Sequence, residues 1–162
     1  MITAITGPLI VQPECWQVVF SRETTNPWIR RFVPGEFKHV SAYAYVPFLH
    51  VWAFFDPHIA GTDIILAAEG DPALAMISSR IKNAAVVSVR RHSHKVGKLD
   101  SSERRSRSIG LPLLGYCVPS VRRLVGVSGG AFTPSGFFKE CVAYGGIPLA
   151  EAIDGRAGIQ SA

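Results

Sequence analysis

In "GYCVPSVRRLVG", residues 115–126, a cysteine stands directly before a run whose apolar residues recur at helical spacing. Val118, Val121, Leu124 and Val125 share one side of a helix, Arg122 and Arg123 are free to face water, and Gly126 can end it. Pro119 fits only in a first turn, where its missing N–H costs no hydrogen bond, so the helix must begin close to Cys117. A thiol placed there meets the unpaired first-turn amides and the positive end of the helix, both of which favour a thiolate. The same amides can stabilise an oxyanion on a carbonyl that the sulfur attacks. These features suit a nucleophile. Position alone favours the other reading, a small apolar residue filling the groove between a helix and a sheet, so the decision rests on whether a base can be found.

Among the five histidines, His39 is the best placed. Residues 37–45 and 50–55 are rich in aromatic and β-branched types and read as two adjacent strands joined by a short turn at "VPFL", the second stopping at Asp56-Pro57. If the turn is centred between Pro47 and Phe48, His39 and Asp56 are register partners whose side chains emerge on one face. A carboxylate beside an imidazole fixes its tautomer and supports its charged form, the third-residue role in a Cys-His-acid site. Read singly, His39 is a polar residue at a strand end and Asp56 a turn-forming residue before proline.

Other chemistry is less well supported. His50, Asp56 and His58, or His92 and His94, lack zinc-ligand spacing, and Pro57 interrupts the ladder that would align them. The glycine-rich "GVSGG" at 126–130 has no Lys-Ser/Thr ending and follows a helix, so it is no nucleotide cradle. No cofactor is expected. Cys141, in mid-helix beside Phe137, Phe138 and Val142, reads as core, as does Cys15 at a strand start. Gln12 offers a side-chain amide that only the fold could bring to an oxyanion.

These residues need a scaffold, and 162 residues are enough for one domain with a single core. Three cysteines without a CxxC pair argue against a disulfide framework. No apolar run reaches the length of a membrane span, and the first residues show no basic lead, apolar block and cleavage site of a secretory signal. "CWQVVFSRE" (15–23) reads as a strand, and "TTNPWIRRFVPGEF" as a loop holding at most a short helical turn. Residues 72–82 suit a short amphipathic helix with Leu74, Ile77 and Ile81 inward, and 84–91 a strand. Thr133 and Pro134 open a further helix that Gly145-Gly146 stops. The fold class is therefore α+β, an antiparallel sheet packed against helices.

The charge of +5 is uneven, since nine of the seventeen Lys and Arg residues lie between Arg80 and Arg107. Residues 92–108 read as a basic loop and 150–162 as a flexible tail. The basic patch could meet nucleic acid, an anionic envelope or an acidic protein, or be a solvated loop.

"FKHV" opening one strand, "WAFFDP" closing its neighbour, then "YCVPSVRRLVGV" and "AFTPSGFFKECV" together resemble small phage and prophage proteins of the papain-like NlpC/P60 superfamily in its circularly permuted form. The resemblance covers residues 15–56 and 111–144. Here the histidine strand precedes the cysteine helix, the reverse of the unpermuted order, which a site defined in space tolerates. It implies a single papain-like domain over 1–162 with Cys117 as nucleophile, His39 as general base and then acid, and Asp56 as the orienting residue. It further implies a cysteine hydrolase cleaving an amide bond in peptidoglycan stem peptides. Such a protein would be phage-tail-associated, with tail or baseplate partners, and would reside in the virion or, before assembly, the bacterial cytoplasm. Two features depart from the family: Pro119 two positions after the nucleophile, and the basic segment before it. The competing class is a non-catalytic virion structural protein that keeps the fold, for which Trp28, Tyr45, the basic loop and the glycine-rich tail would serve docking. Nucleic-acid binding through Arg80–Arg107 is a third and weaker class, requiring affinity that falls steeply with salt.

Overall fold

The computed structural model describes residues 13–58, 61–90 and 117–151. In chain order these form β1 (Cys15–Ser21), α1 (Pro27–Phe32), β2 (His39–Val46), a 3₁₀ turn (Pro47–Leu49), β3 (Val51–His58), β4 (Gly61–Ala68), α2 (Asp71–Ile81), β5 (Ala84–Arg90), α3 (Cys117–Val125), α4 (Pro134–Ala143) and β6 (Ile147–Glu151). The strands make a six-stranded sheet in the order β4-β3-β2-β1-β5-β6, and each neighbouring pair is antiparallel. The chain is thus α+β, as its pattern of elements implies. The basic segment 92–108, Gln12 and the tail beyond Glu151 lie outside the described residues.

Strand alternation divides the core into two layers. Trp16, Val18 and Phe20 of β1, Val40, Ala42 and Ala44 of β2, and Ala85, Val87 and Val89 of β5 face α3 and α4, where they meet Val118, Val121, Val125, Phe137 and Cys141. The other parity, Val19, Tyr43, Phe54, Ala84 and Val86, faces α2 and packs with Ala73, Met76, Ile77 and Ile81. Central strands covered on both sides read as continuous apolar runs, which is why "CWQVVF" and "AAVVSV" are so easily recognised.

The helices end where their sequences direct. Asn26 caps α1, its side chain accepting from the amides of Trp28 and Ile29. The Thr133 hydroxyl accepts from the Gly136 amide at 3.1 Å and Pro134 takes the first turn of α4. Gly145, at φ 92°, closes that helix in a conformation that glycine adopts without strain.

Several expectations are corrected. In α2, Ile77 and Ile81 pack inward as expected, but Leu74 is 60% exposed and Ala73, 1% exposed, faces the sheet instead. Arg122 does not face water; it bridges α3 to α4, donating to Glu140 and to the Ala131 carbonyl at 2.6 Å each. β3 does not stop at Asp56 but continues through Pro57 to His58. Its pairing with β2 ends at Phe55 while that with β4 runs on, so a residue without an N–H is tolerated on a strand that keeps one partner. β4 and β6 were not anticipated. Both are edge strands, and β4 leaves Ile64, Ile65 and Leu66 exposed, so it lacks the alternation that marks a half-buried strand.

Phe137 is fully buried between the α4 layer and Phe20, with ring centroids 5.8 Å apart. Phe137→Ala should destabilise the fold by about 3–5 kcal/mol. Trp28→Ala, at a side chain 69% exposed, should stay within about 0.5 kcal/mol. Urea unfolding of both variants checks this.

Candidate functional site

The β2–β3 hairpin brings His39 and Asp56 together, by a register different from the expected one. Its strands pair Ala42 with Phe55, Ala44 with Ala53 and Val46 with Val51. The connection is not a two-residue turn. A 3₁₀ turn over Pro47–Leu49 is followed by His50 in the left-handed conformation at φ 52°, which centres the hairpin between Phe48 and Leu49. One step beyond the last paired residues, Asp56 lies opposite Ser41 rather than His39. The slip is two residues, an even number, so the facing of every side chain is preserved. His39 and Asp56 become diagonal neighbours, still within reach of long side chains, and His39 Nε2 donates to Asp56 Oδ1 at 2.7 Å.

A third group completes this pair. Arg80, in the last turn of α2, donates from Nη1 to Asp56 Oδ2 at 2.5 Å and lies over the Phe54 ring, 5.4 Å from its centroid. Both Asp56 oxygens are thereby occupied, one by each cation. Burial alone would raise its carboxyl, but the hydrogen bonds and charges of His39 and Arg80 prevail and hold it down at about 2. The sequence reading assigned Arg80 to the basic patch. The signal that could have separated it was the helical spacing Ala73, Ile77, Arg80, which puts a charge where the buried stripe of α2 calls for an apolar residue.

Cys117 is the first described residue of α3, two positions before Pro119. The Cys117 thiol is near enough to the His39 imidazole to favour its charged form. With Nε2 committed to Asp56, Nδ1 is the ring nitrogen left over. Val118 belongs to the layer that contains Val40, and strand alternation turns His39 to the other side. Burial disfavours the imidazolium, but hydrogen bonds with Asp56 and Cys117, reinforced by their charges, outweigh it and raise His39 to about 9. The structure pairs two of the residues singled out in the sequence, His39 and Asp56, and brings Cys117 near enough to affect the ring.

The remaining candidates are distributed elsewhere. Cys141 is fully buried, and burial pushes its thiol up to about 12, as expected of a core residue. Cys15 is only partly buried, with its Sγ 2.9 Å from the Ser88 hydroxyl. His50 sits at the turn end of the hairpin near Tyr45 and Glu69. At about 3.3 Å per residue it is roughly 20 Å along the strand from Asp56, and among the described residues no cluster of three metal-ligating side chains forms. Glu140 takes up the "GVSGG" loop: the amides of Gly130 and Ala131 donate to it at 2.8 Å each. A Cβ on Gly129 would collide with the same carboxylate, so these glycines serve the joint between α3 and α4.

On the α2 side, His39 and Asp56 line a cavity of about 230 Å³ with Ser41, Arg80 and Lys82, and Cys117 is not part of its wall. Compared with protein-family models, curated proteins and solved structures, the chain has no match in any of the three. Among the described residues no helix is long and apolar enough to cross a membrane.

The shifted groups give the stability a defined pH dependence. His39 is raised from 6.5 to about 9, so its contribution is complete below 6.5 and is lost as pH rises through 9. Asp56 is lowered from 3.8 to about 2, so its contribution is present above 3.8 and is lost as pH falls through 2. Denaturant titrations across pH should show the alkaline slope disappear in His39→Gln, and the acid slope weaken in Arg80→Met.

Proposed function

We propose that this protein is a cysteine hydrolase that cleaves an amide bond by acyl transfer. The observation that carries this reading is that one imidazole, His39, is hydrogen-bonded to the Asp56 carboxylate and has the Cys117 thiol near enough to favour its charged form. In acylation the Cys117 thiolate attacks the carbonyl carbon, forming a C–S bond and an oxyanion beside the first-turn amides of α3. His39, held as an imidazolium, gives its proton to the amide nitrogen as the C–N bond breaks and the amine leaves. In deacylation His39 takes a proton from water as its oxygen attacks the thioester. The C–S bond then breaks, releasing the acid and restoring the thiolate. Asp56 orients the ring and Arg80 is a positioning residue that holds Asp56.

The histidine strand preceding the cysteine helix fits a circularly permuted papain-like arrangement of the NlpC/P60 type. That resemblance directs the choice of substrate to stem peptides of peptidoglycan, and the setting to a phage tail-associated or envelope-penetration protein. It would act from the virion after assembly in the bacterial cytoplasm. A second reading, a non-catalytic virion structural protein with the same fold, is favoured by the exposed Ile64, Ile65 and Leu66 on the free edge of the sheet. Such an edge suits assembly with tail or baseplate proteins.

Alkylation of the thiols from pH 4 to 9, with the labelled residue located by mass spectrometry, separates the two. For the hydrolase, Cys117 is labelled near neutral pH, Cys141 stays unlabelled, and His39→Ala slows Cys117 by roughly tenfold, the scale of losing a close charge partner. Cleavage of stem peptides should then be abolished in Cys117→Ala. Labelling of Cys117 that is indifferent to His39 would leave the structural reading in its place.

A further inference from the structure

Alternation along β1 and β2 turns Ser21, His39 and Ser41 to the side covered by α2, and the last turn of that helix brings Ser79, Arg80 and Lys82 over them. The sequence "ISSRIK" thus closes a polar cavity over the end of an otherwise apolar layer. Ser41 is the decisive residue. It is 3% exposed, it lines the cavity, and its side chain makes no hydrogen bond within the described residues. Its hydroxyl opens onto the cavity and is free to donate to a polar ligand there.

The ligand's chemistry follows from which groups are already engaged. Asp56 is taken up by His39 and Arg80, and Glu23 at the rim accepts from the Asn83 amide at 2.6 Å. Ser79 donates to the Met76 carbonyl. What the cavity still offers is donors: the hydroxyls of Ser41 and Ser21, and the Lys82 ammonium, which has no carboxylate within ion-pair distance among the described residues. One unpaired cation with two hydroxyls suits a single carboxylate. The volume of about 230 Å³ exceeds the roughly 150 Å³ that accommodates benzene and falls below the ~300 Å³ of sites for larger ligands. One amino-acid residue is the fitting size.

The cavity shares the His39 wall with the thiol site but excludes Cys117. In acyl transfer the leaving amine departs toward the imidazole that protonates it, so the portion of substrate beyond the scissile nitrogen is the portion that can enter here. We propose that this pocket binds the free carboxylate of the leaving residue, making the substrate an amide whose amine side is a carboxyl-terminal amino acid. This inference rests on the hydrolase reading above.

Titrating the full chain with alanine of either hand, and with alaninamide, tests it by amide chemical shifts in NMR spectra. Alanine should shift the signals of Ser41, Ser79 and Lys82, and alaninamide at the same concentration should not. Lys82→Met, a change at an exposed position, should weaken alanine binding by about tenfold, and Ser41→Ala should weaken it as well. Cys117→Ala should leave it unchanged. Equal response to alaninamide, no response at these residues, or binding indifferent to Lys82→Met overturns the proposal. If alanine binds while Cys117 labelling ignores His39, the leaving-residue role falls with the hydrolase reading. If Cys117 responds to His39 but alanine does not bind, the hydrolase reading stands and the carboxylate pocket falls.

Discussion

The central strands of this sheet have both faces covered, and the rest of the structure follows from that constraint. β1, β2 and β5 bury Val18, Phe20, Val40 and Val87 under α3 and α4, and Val19, Tyr43 and Val86 under α2. Polar side chains in the middle of such strands would be stranded without water, so the chemistry collects at the strand ends. His39 begins β2, Asp56 lies near the end of β3, Cys117 begins α3, and Arg80 lies in the last turn of α2. Four elements therefore deliver one residue each to the same edge of the core. Ser41, one register step inside that edge, borders a cavity, and in mid-strand Gln17 of β1 donates to Ser88 of β5.

Within the cluster the carboxylate is the fixed point. Asp56 receives His39 on one oxygen and Arg80 on the other, and with two cations beside it remains ionised through most of the acid range. An ionised carboxylate can only accept, so it requires a donor at His39 Nε2 and leaves Nδ1 as the other ring nitrogen. The orientation of the imidazole is thus set from the α2 side of the sheet, while the thiol arrives with a helix from the other side.

Much of the site was legible because it depended on local rules. Pro119 locates the start of α3 within a residue or two, which assigns Cys117 to the helix terminus. The aromatic and β-branched content of 37–55 marks the hairpin, and its parity puts His39 and Asp56 on one face. The register was not legible, because it depends on how the turn closes. His50 in the left-handed conformation makes the connection two residues longer than the compact turn expected, and nothing in "VPFLHV" compels that choice. The pairing of His39 with Asp56 survives only because the slip is even. Arg80 was visible as a charge within an apolar helical stripe, yet its partner lies 24 residues away, beyond the reach of any local pattern. β4 escaped notice because an exposed edge strand shows no alternation.

By itself the sequence determined most of the elements, the α+β class and the face that His39 and Asp56 share, since these follow from side-chain type and from periods of two and 3.6 residues along the chain. The tertiary structure alone decided the hairpin register, that Arg80 holds Asp56, and that Ser41 borders a cavity. Those are contacts between residues far apart in sequence. Their energies depend on distances of a few ångströms, which are fixed only once the helices have packed against the sheet.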